Sequence, residues 1–245
     1  MSQHAHTNSL LYVEGLKRKF GGVMAVSDLD MSVSTNEIVG LIGPNGAGKS
    51  TTFNLISGHL QPTEGRIVFD GKTVTGKSLA RMSRLGLART FQHESLLKDL
   101  SVYDNILVGA LRFTNRKERE GRIFETAMRV GLSEHLLERA GSLPHGLQRM
   151  LSIAIAIAAR PKLLCLDEPL TGLNATEVKN ALGIIRSLQA EMKCSILFVE
   201  HNMRAVMELC DRVIVLASGR ILAEGTPAEI GSNASVIEAY LGVPS

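Results

Sequence analysis

The sequence predicts an α/β fold built on a largely parallel sheet, and three observations carry that prediction. Short apolar runs at 38–42, 163–166, 196–199 and 213–216 alternate with segments of helical spacing. A glycine-rich turn follows the first run directly and leads into a helical pattern. Between the second and third runs, Val178, Leu182, Ile185, Leu188 and Met192 recur on one helical face, as a helix lying on a sheet requires.

Taken in order, "LLYVEGLKRKF" (10–20), "LDMSVS" (29–34) and "GRIVFDGK" (65–72) read as antiparallel strands joined by glycine-containing turns. From 88 to 160 the texture changes to helical stretches and charged turns such as "NRKEREGR", which predicts a helical subdomain inserted into the core. Ser101 and Asp104 stand at capping spacing ahead of "NILVGALR". "GRILAEGTPAEI" (219–230) predicts a hairpin and a helix start, and "SVIEAYLG" a short final helix. The expected organisation is one domain over 1–245: core 1–87 and 161–220, helical subdomain 88–160, C-terminal extension 221–245.

A chain of 245 residues can bury a sizeable core. Its net charge of +3 is too mild for the footprint of a nucleic-acid binder. Cys165, Cys194 and Cys210 are widely spaced in apolar surroundings, which fits buried thiols in a reducing compartment. The most apolar stretch, 152–159, is far shorter than the ~20 residues a membrane helix needs, and the polar start "MSQHAHTN" lacks the apolar region of a signal peptide. A cytosolic protein is expected, with any membrane role exercised from the surface.

"GLIGPNGAGKSTTFNLISG" contains G-x-x-x-x-G-K-S between a strand and a helix. Triphosphate oxygens need many converging donors with no side chains in the way. Gly43, Gly46 and Gly48 let the backbone wrap closely, and the following helix contributes its N-terminal dipole. Lys49 supplies a point charge for the β- and γ-phosphates, and the Ser50 hydroxyl is placed to ligate Mg²⁺. In "KLLCLDEP", Asp167 ends a buried strand, where ligands of open α/β sheets gather; it can hold Mg²⁺, and Glu168 can accept a proton from an attacking water. A lone Asp-Glu there would read as a solvated turn, but the phosphate loop reverses that weighting. His201, ending "ILFVEH", could reach a γ-phosphate from a third side or be an ordinary surface histidine; Glu200 beside it has no evident role, and His4 and His6 read as a solvated tail.

Taken together these motifs resemble, over nearly the whole chain, the nucleotide-binding subunits of ABC transporters, and in softer features ("FGGVMAV", "GLARTFQ", "LTGLNATE", "IEAYLG") the branched-chain amino acid importer type. "IGPNGAGKST" resembles the Walker A segment, which implies nucleotide contacts from Gly43, Asn45, Gly46, Ala47, Gly48, Lys49, Ser50 and Thr51. "LARTFQ" implies that Gln92 is the Q-loop glutamine, a catalytic and metal-binding residue at the joint of the helical subdomain with the core. "LLCLDEP" resembles the Walker B segment, "LTGLN" the D-loop and "FVEHNM" the switch segment of His201. Phe20, by pattern alone an ordinary core residue, matches the aromatic that stacks on adenine.

The resemblance implies a P-loop NTPase core that takes ATP and Mg²⁺. It further implies pairing with a second ATP-binding subunit, identical or sibling, and docking on transmembrane permease subunits at the cytoplasmic face of the membrane. A substrate-binding protein is served indirectly. A soluble ABC ATPase acting on nucleic acid or ribosomes is the alternative, and the chain lacks the tandem cassettes or long coiled coils usual there. The sequence departs from the family at Leu143, Pro144, His145, Gly146 and Leu147, which stand for Leu-Ser-Gly-Gly-Gln. Gly146, the following helix start and His145 are left to face the partner's nucleotide. Asn174 stands where many members have the D-loop aspartate.

Overall fold

The structure, a computed structural model, describes residues 9–90 and 96–241. The chain runs β1 (Ser9–Phe20), β2 (Val23–Ser34), β3 (Ile38–Ile42), α1 (Lys49–Ile56), β4 (Glu64–Phe69), β5 (Lys72–Thr73), α2 (Leu79–Leu85) and β6 (Leu87–Arg89). Then come α3 (Val102–Ala110), α4 (Arg116–Arg129), α5 (His145–Ala158), β7 (Leu163–Asp167), α6 (Ala175–Met192), β8 (Ser195–Val199) and α7 (Met203–Leu209). β9 (Arg212–Ala217), β10 (Arg220–Gly225), α8 (Pro227–Gly231) and α9 (Ala234–Leu241) complete it.

A six-stranded sheet in the order β10-β9-β3-β8-β7-β6 forms the centre. It is parallel except for β10, which returns from β9 as a hairpin. β3, β7 and β8 are buried at every position, which is why they read as continuous apolar runs rather than alternating ones. An antiparallel sheet, β2-β1-β4-β5, covers one face with α1, and their apolar side chains form one core cluster around Leu41, Phe53 and Phe69. The second cluster joins the other face to the helices, with Leu182, Ile185 and Leu188 of α6 buried as their spacing predicts.

Three local expectations meet the structure directly. Ser101 caps α3: its Oγ accepts the Asp104 N–H at 3.0 Å and donates to the Asp104 carboxylate at 2.6 Å. α8 starts with Pro227 inside a capping box between Thr226 and Glu229. Ala88 and Arg89, expected to open the helical subdomain, belong instead to β6, an edge strand parallel to β7. Three residues are too few to display the alternation by which a strand is recognised.

All three cysteines are buried free thiols, and burial raises the pKa of Cys194 and of Cys210 to about 12. Among the described residues no helix is long and apolar enough to cross a membrane. Where α4 passes the N-terminal ends of β7 and β8, a cleft of about 620 Å³ opens, and an ion pair from Arg129 on α4 to Glu191 on α6 spans it.

Asn105 is buried on α3 and ties down the loop before that helix: its Oδ1 accepts the Leu97 N–H at 2.8 Å, and its Nδ2 donates to the Leu97 and Ser101 carbonyls. Asn105→Ala strands these backbone groups, so the expected loss of stability is about 2–3 kcal/mol, read from urea unfolding.

Candidate nucleotide site

The loop from Gly43 to Gly48 connects β3 to α1, at the C-terminal edge of the parallel strands. Its glycines are demanded by space. A Cβ on Gly43 would lie 2.2 Å from the Leu216 carbonyl oxygen, and one on Gly48 would lie 2.6 Å from that of Ala25. Gly48 is also left-handed, at φ 102°, and no side chain caps α1. The first turn of α1 therefore presents backbone donors and the positive dipole end with no capping side chain among the described residues. Asn45, Gly46 and Ser50 are exposed along this cradle, Thr51 is half-buried, and Ala47 is buried beneath it.

Lys49 is 7% exposed and its ammonium donates to the carbonyls of Gly43 at 2.7 Å and Pro44 at 3.1 Å. Burial lowers its pKa, opposed by Glu168 and Asp167. The loop thus holds a cation at its centre, on neutral acceptors that a phosphate oxygen would outcompete.

Asp167 ends β7 and is 4% exposed; its N–H donates to Thr90 Oγ1 at 3.1 Å. One carboxylate oxygen, Oδ2, is 3.9 Å from the Arg89 guanidinium, while Oδ1 is buried with no hydrogen-bond partner among the described residues. Burial raises the Asp167 pKa to about 6, with Arg89 pulling it down and Glu168 and Glu200 adding to the rise. A buried carboxylate oxygen without a donor, beside a phosphate cradle and an exposed Ser50 hydroxyl, is a fitting hard-oxygen set for Mg²⁺.

The raised pKa has a definite sign for stability. A carboxyl that binds its proton more tightly folded than unfolded stabilises the fold below the ordinary value of 3.8, and that contribution is lost as the pH rises through about 6. Asp167→Asn should therefore make the nucleotide-free protein more stable than the unmutated one at pH 7.5, by about 1–3 kcal/mol. The gap should close as the pH falls towards 4, which urea titrations across that range will read.

Glu168 follows at φ +47°, a left-handed conformation unusual for a side-chain-bearing residue, held by its N–H donating to the Val199 carbonyl at 2.9 Å. That pairing aims Glu168 at the loop after β8, where His201 Nδ1 lies 3.9 Å from its carboxylate. Both side chains are solvent-accessible, the histidine mostly so. The adjacent pair Asp167 and Glu168 thus meets two residues distant in sequence, Lys49 and His201, at one edge.

Phe20 ends β1 and is 44% exposed, so it is a surface aromatic and not the core residue its pattern alone suggests; the Arg18 guanidinium sits 4.5 Å from its ring centroid. Gln92 lies outside the described residues. Pro144 is the N-cap of α5, one position earlier than a first-turn proline, and no side chain caps this helix either. His145 is exposed and its ring packs over Gly172, where a Cβ would fall 2.7 Å from Cε1. Gly146 has Glu177 against it in the same way. Asn174 is the N-cap of α6, with Oδ1 accepting the Glu177 N–H and the Glu177 carboxylate accepting the Asn174 N–H.

Two buried residues at the site escaped sequence reasoning. Arg89 donates to Asn54 Oδ1 and Ser57 Oγ at 2.8 Å and lies over the Phe53 ring, joining the end of β6 to α1 and Asp167; nothing in "LART" signals this. Glu200 is 1% exposed, and a carboxylate closing an apolar strand was the available signal, the same one that singled out Asp167.

Residues 26–171 match the ABC transporter family, and residues 220–244 match the branched-chain amino acid ATP-binding cassette transporter family. The high-affinity branched-chain amino acid transport ATP-binding protein BraF of Pseudomonas aeruginosa is 39% identical, over 95% of this chain and 98% of that protein. LivG of Escherichia coli, described in the same words, is also 39% identical over the same shares. The lipopolysaccharide export system ATP-binding protein LptB of Haemophilus influenzae is 32% identical over 96% of this chain and 98% of its own length. Among solved structures, the ADP conformation of an ATP-binding cassette of an ABC transporter superposes with a TM-score of 0.90 at 29% identity, covering 97% of this chain and 100% of that one.

Proposed function

From the premise that this chain belongs to the ABC transporter family of ATP-hydrolysing subunits, we propose that it energises import of branched-chain or related amino acids. It does so at the cytoplasmic face of the membrane, docked on permease subunits and paired with a second ATP-binding subunit. The match of residues 220–244 to the branched-chain type is the observation that carries the substrate class, because the cassette itself is shared with an exporter subunit such as LptB. Relatives that are transport subunits over nearly their full length leave the soluble, nucleic-acid-directed alternative without support.

In the proposed cycle the adenine stacks on the exposed face of Phe20 and the triphosphate enters the cradle of Gly43 to Thr51. The Lys49 ammonium leaves the Gly43 and Pro44 carbonyls for the β- and γ-phosphate oxygens. Ser50, Asp167 and Gln92 would hold Mg²⁺, which when bound neutralises phosphate charge. Glu168 takes a proton from the water attacking the γ-phosphorus as the bond to the β-phosphate oxygen breaks, and His201 steadies the departing phosphate. The partner's nucleotide is met by the uncapped start of α5, with Pro144 in place of the serine and His145 and Gly146 in place of the two glycines. Losing one neutral hydrogen bond there costs about 0.5–1.5 kcal/mol, too little to abolish the contact.

Copurification of the full chain from membranes tests the reading. The expected result is an intact complex with permease subunits whose ATPase is stimulated by a binding protein loaded with leucine, isoleucine or valine. A complex stimulated only by an unrelated solute would overturn the substrate class.

A further inference from the structure

Glu200 sits where β8 ends and the loop carrying His201 begins, and its carboxylate is 1% exposed. Taking a carboxylate out of water is costly unless donors replace the lost hydration. Its donors here are backbone amides. Oε1 accepts the Leu170 N–H at 2.9 Å, and Oε2 accepts the N–H of His201 at 3.1 Å and of Asn202 at 3.4 Å. Asn202 in turn caps α7 through the Ala205 N–H.

The two ends of this clasp belong to different loops. Leu170 lies two residues beyond Glu168, in the segment 169–174 that leads to the cap of α6. His201 and Asn202 belong to the segment between β8 and α7. A second tie, from the Glu168 N–H to the Val199 carbonyl, joins the same loops at their roots. A carboxylate suits the place because it offers two accepting oxygens and no donor, whereas an amide of equal shape would turn an NH₂ towards N–H groups.

We propose that Glu200 is a positioning residue that fastens the loop following Glu168 to the loop carrying His201, so that the water-activating and phosphate-steadying side chains keep one fixed geometry. The proposal rests on the roles given above to Glu168 and His201. It extends them, because the segment 170–174 then moves together with His201.

Hydrogen exchange on the intact, nucleotide-free chain tests the clasp without any catalytic assumption. The amides of Leu170, His201 and Asn202 should exchange slowly, although the His201 side chain stands in solvent; rapid exchange at His201 and Asn202 would overturn the proposal. The second arm is steady-state ATPase of the assembled complex. Glu200→Ala should lower kcat about a hundredfold, the cost of a catalytic group misplaced by about 1 Å, while KM for ATP stays within about threefold. Glu200→Gln, which keeps shape and one acceptor, should fall between the two and remain folded if the alanine variant does not. Unmutated kcat in Glu200→Gln, or a loss confined to KM, refutes the positioning role. Slow exchange with unmutated kcat would sink this inference and leave the proposed function standing, whereas full turnover in Glu168→Gln would remove Glu168 from the role of base and leave the clasp in place.

Discussion

Glu168→Gln is expected to lower ATP turnover by about 10²–10⁴-fold, the usual contribution of a positioned general base, while Mg-ATP still binds. The amide preserves shape and the left-handed backbone at φ +47°, but it cannot take up the proton of the attacking water. With hydrolysis blocked and binding intact, the closed pair of subunits should accumulate, because a ligand shifts an equilibrium towards the form it binds better. Size-exclusion chromatography in Mg-ATP should show a stable dimer, and single-turnover assays should show retained ATP. Turnover at the unmutated rate would remove Glu168 from the role of base.

Lys49→Ala should abolish nucleotide binding in direct assays and reduce hydrolysis by about 10²–10³-fold or more, since a preorganised donor aimed at developing phosphate charge is lost. The fold should not suffer. Burial already disfavours the charged form of this lysine, and its hydrogen bonds go to two loop carbonyls that stand beside the exposed cradle. A thermal midpoint shifted by less than about 3 °C, equivalent to about 1 kcal/mol at this chain length, is expected. A variant that binds ATP normally would instead place the phosphates elsewhere than between Gly43 and Thr51.

The contrast between these residues and Arg89 or Glu200 shows what a sequence can display. Gly43, Gly48 and Lys49 are spaced by the local geometry of one strand, one turn and one helix, so their chemistry is written in consecutive positions. Asp167 and His201 were readable because each ends an apolar run, where a polar residue stands out. Arg89 acts on Asn54, Ser57 and Asp167, groups brought together only by the pairing of β6 with β7 and the packing of α1. Glu200 carries the same strand-end signal as Asp167, yet its acceptors serve amides thirty positions apart in part, which no local pattern encodes.

The same reasoning applies to the fold. Continuous apolar runs revealed β3, β7, β8 and β9 because both faces of those strands are covered. β6 went unread because three residues carry no period, and Phe20 looked like core because hydrophobicity alone does not distinguish a buried ring from one left bare for a ligand. His145 gained a neighbour that spacing could not supply, Gly172, which brings the signature turn and the segment after Glu168 into contact within one subunit.

The cleft beneath α4 bears on how the molecule can spend the energy of ATP. The pair that spans it, Arg129 with Glu191, is open to solvent on the Glu191 side, and such pairs are worth about 0–1 kcal/mol. A swing of the helical arm that parts them costs little more than thermal agitation and has empty volume to move into. Resistance to the stroke must then come from apolar packing, that of α3 on α5 and of α5 on β6 and β7, which makes this arm a lever on a greased bearing rather than a sprung latch.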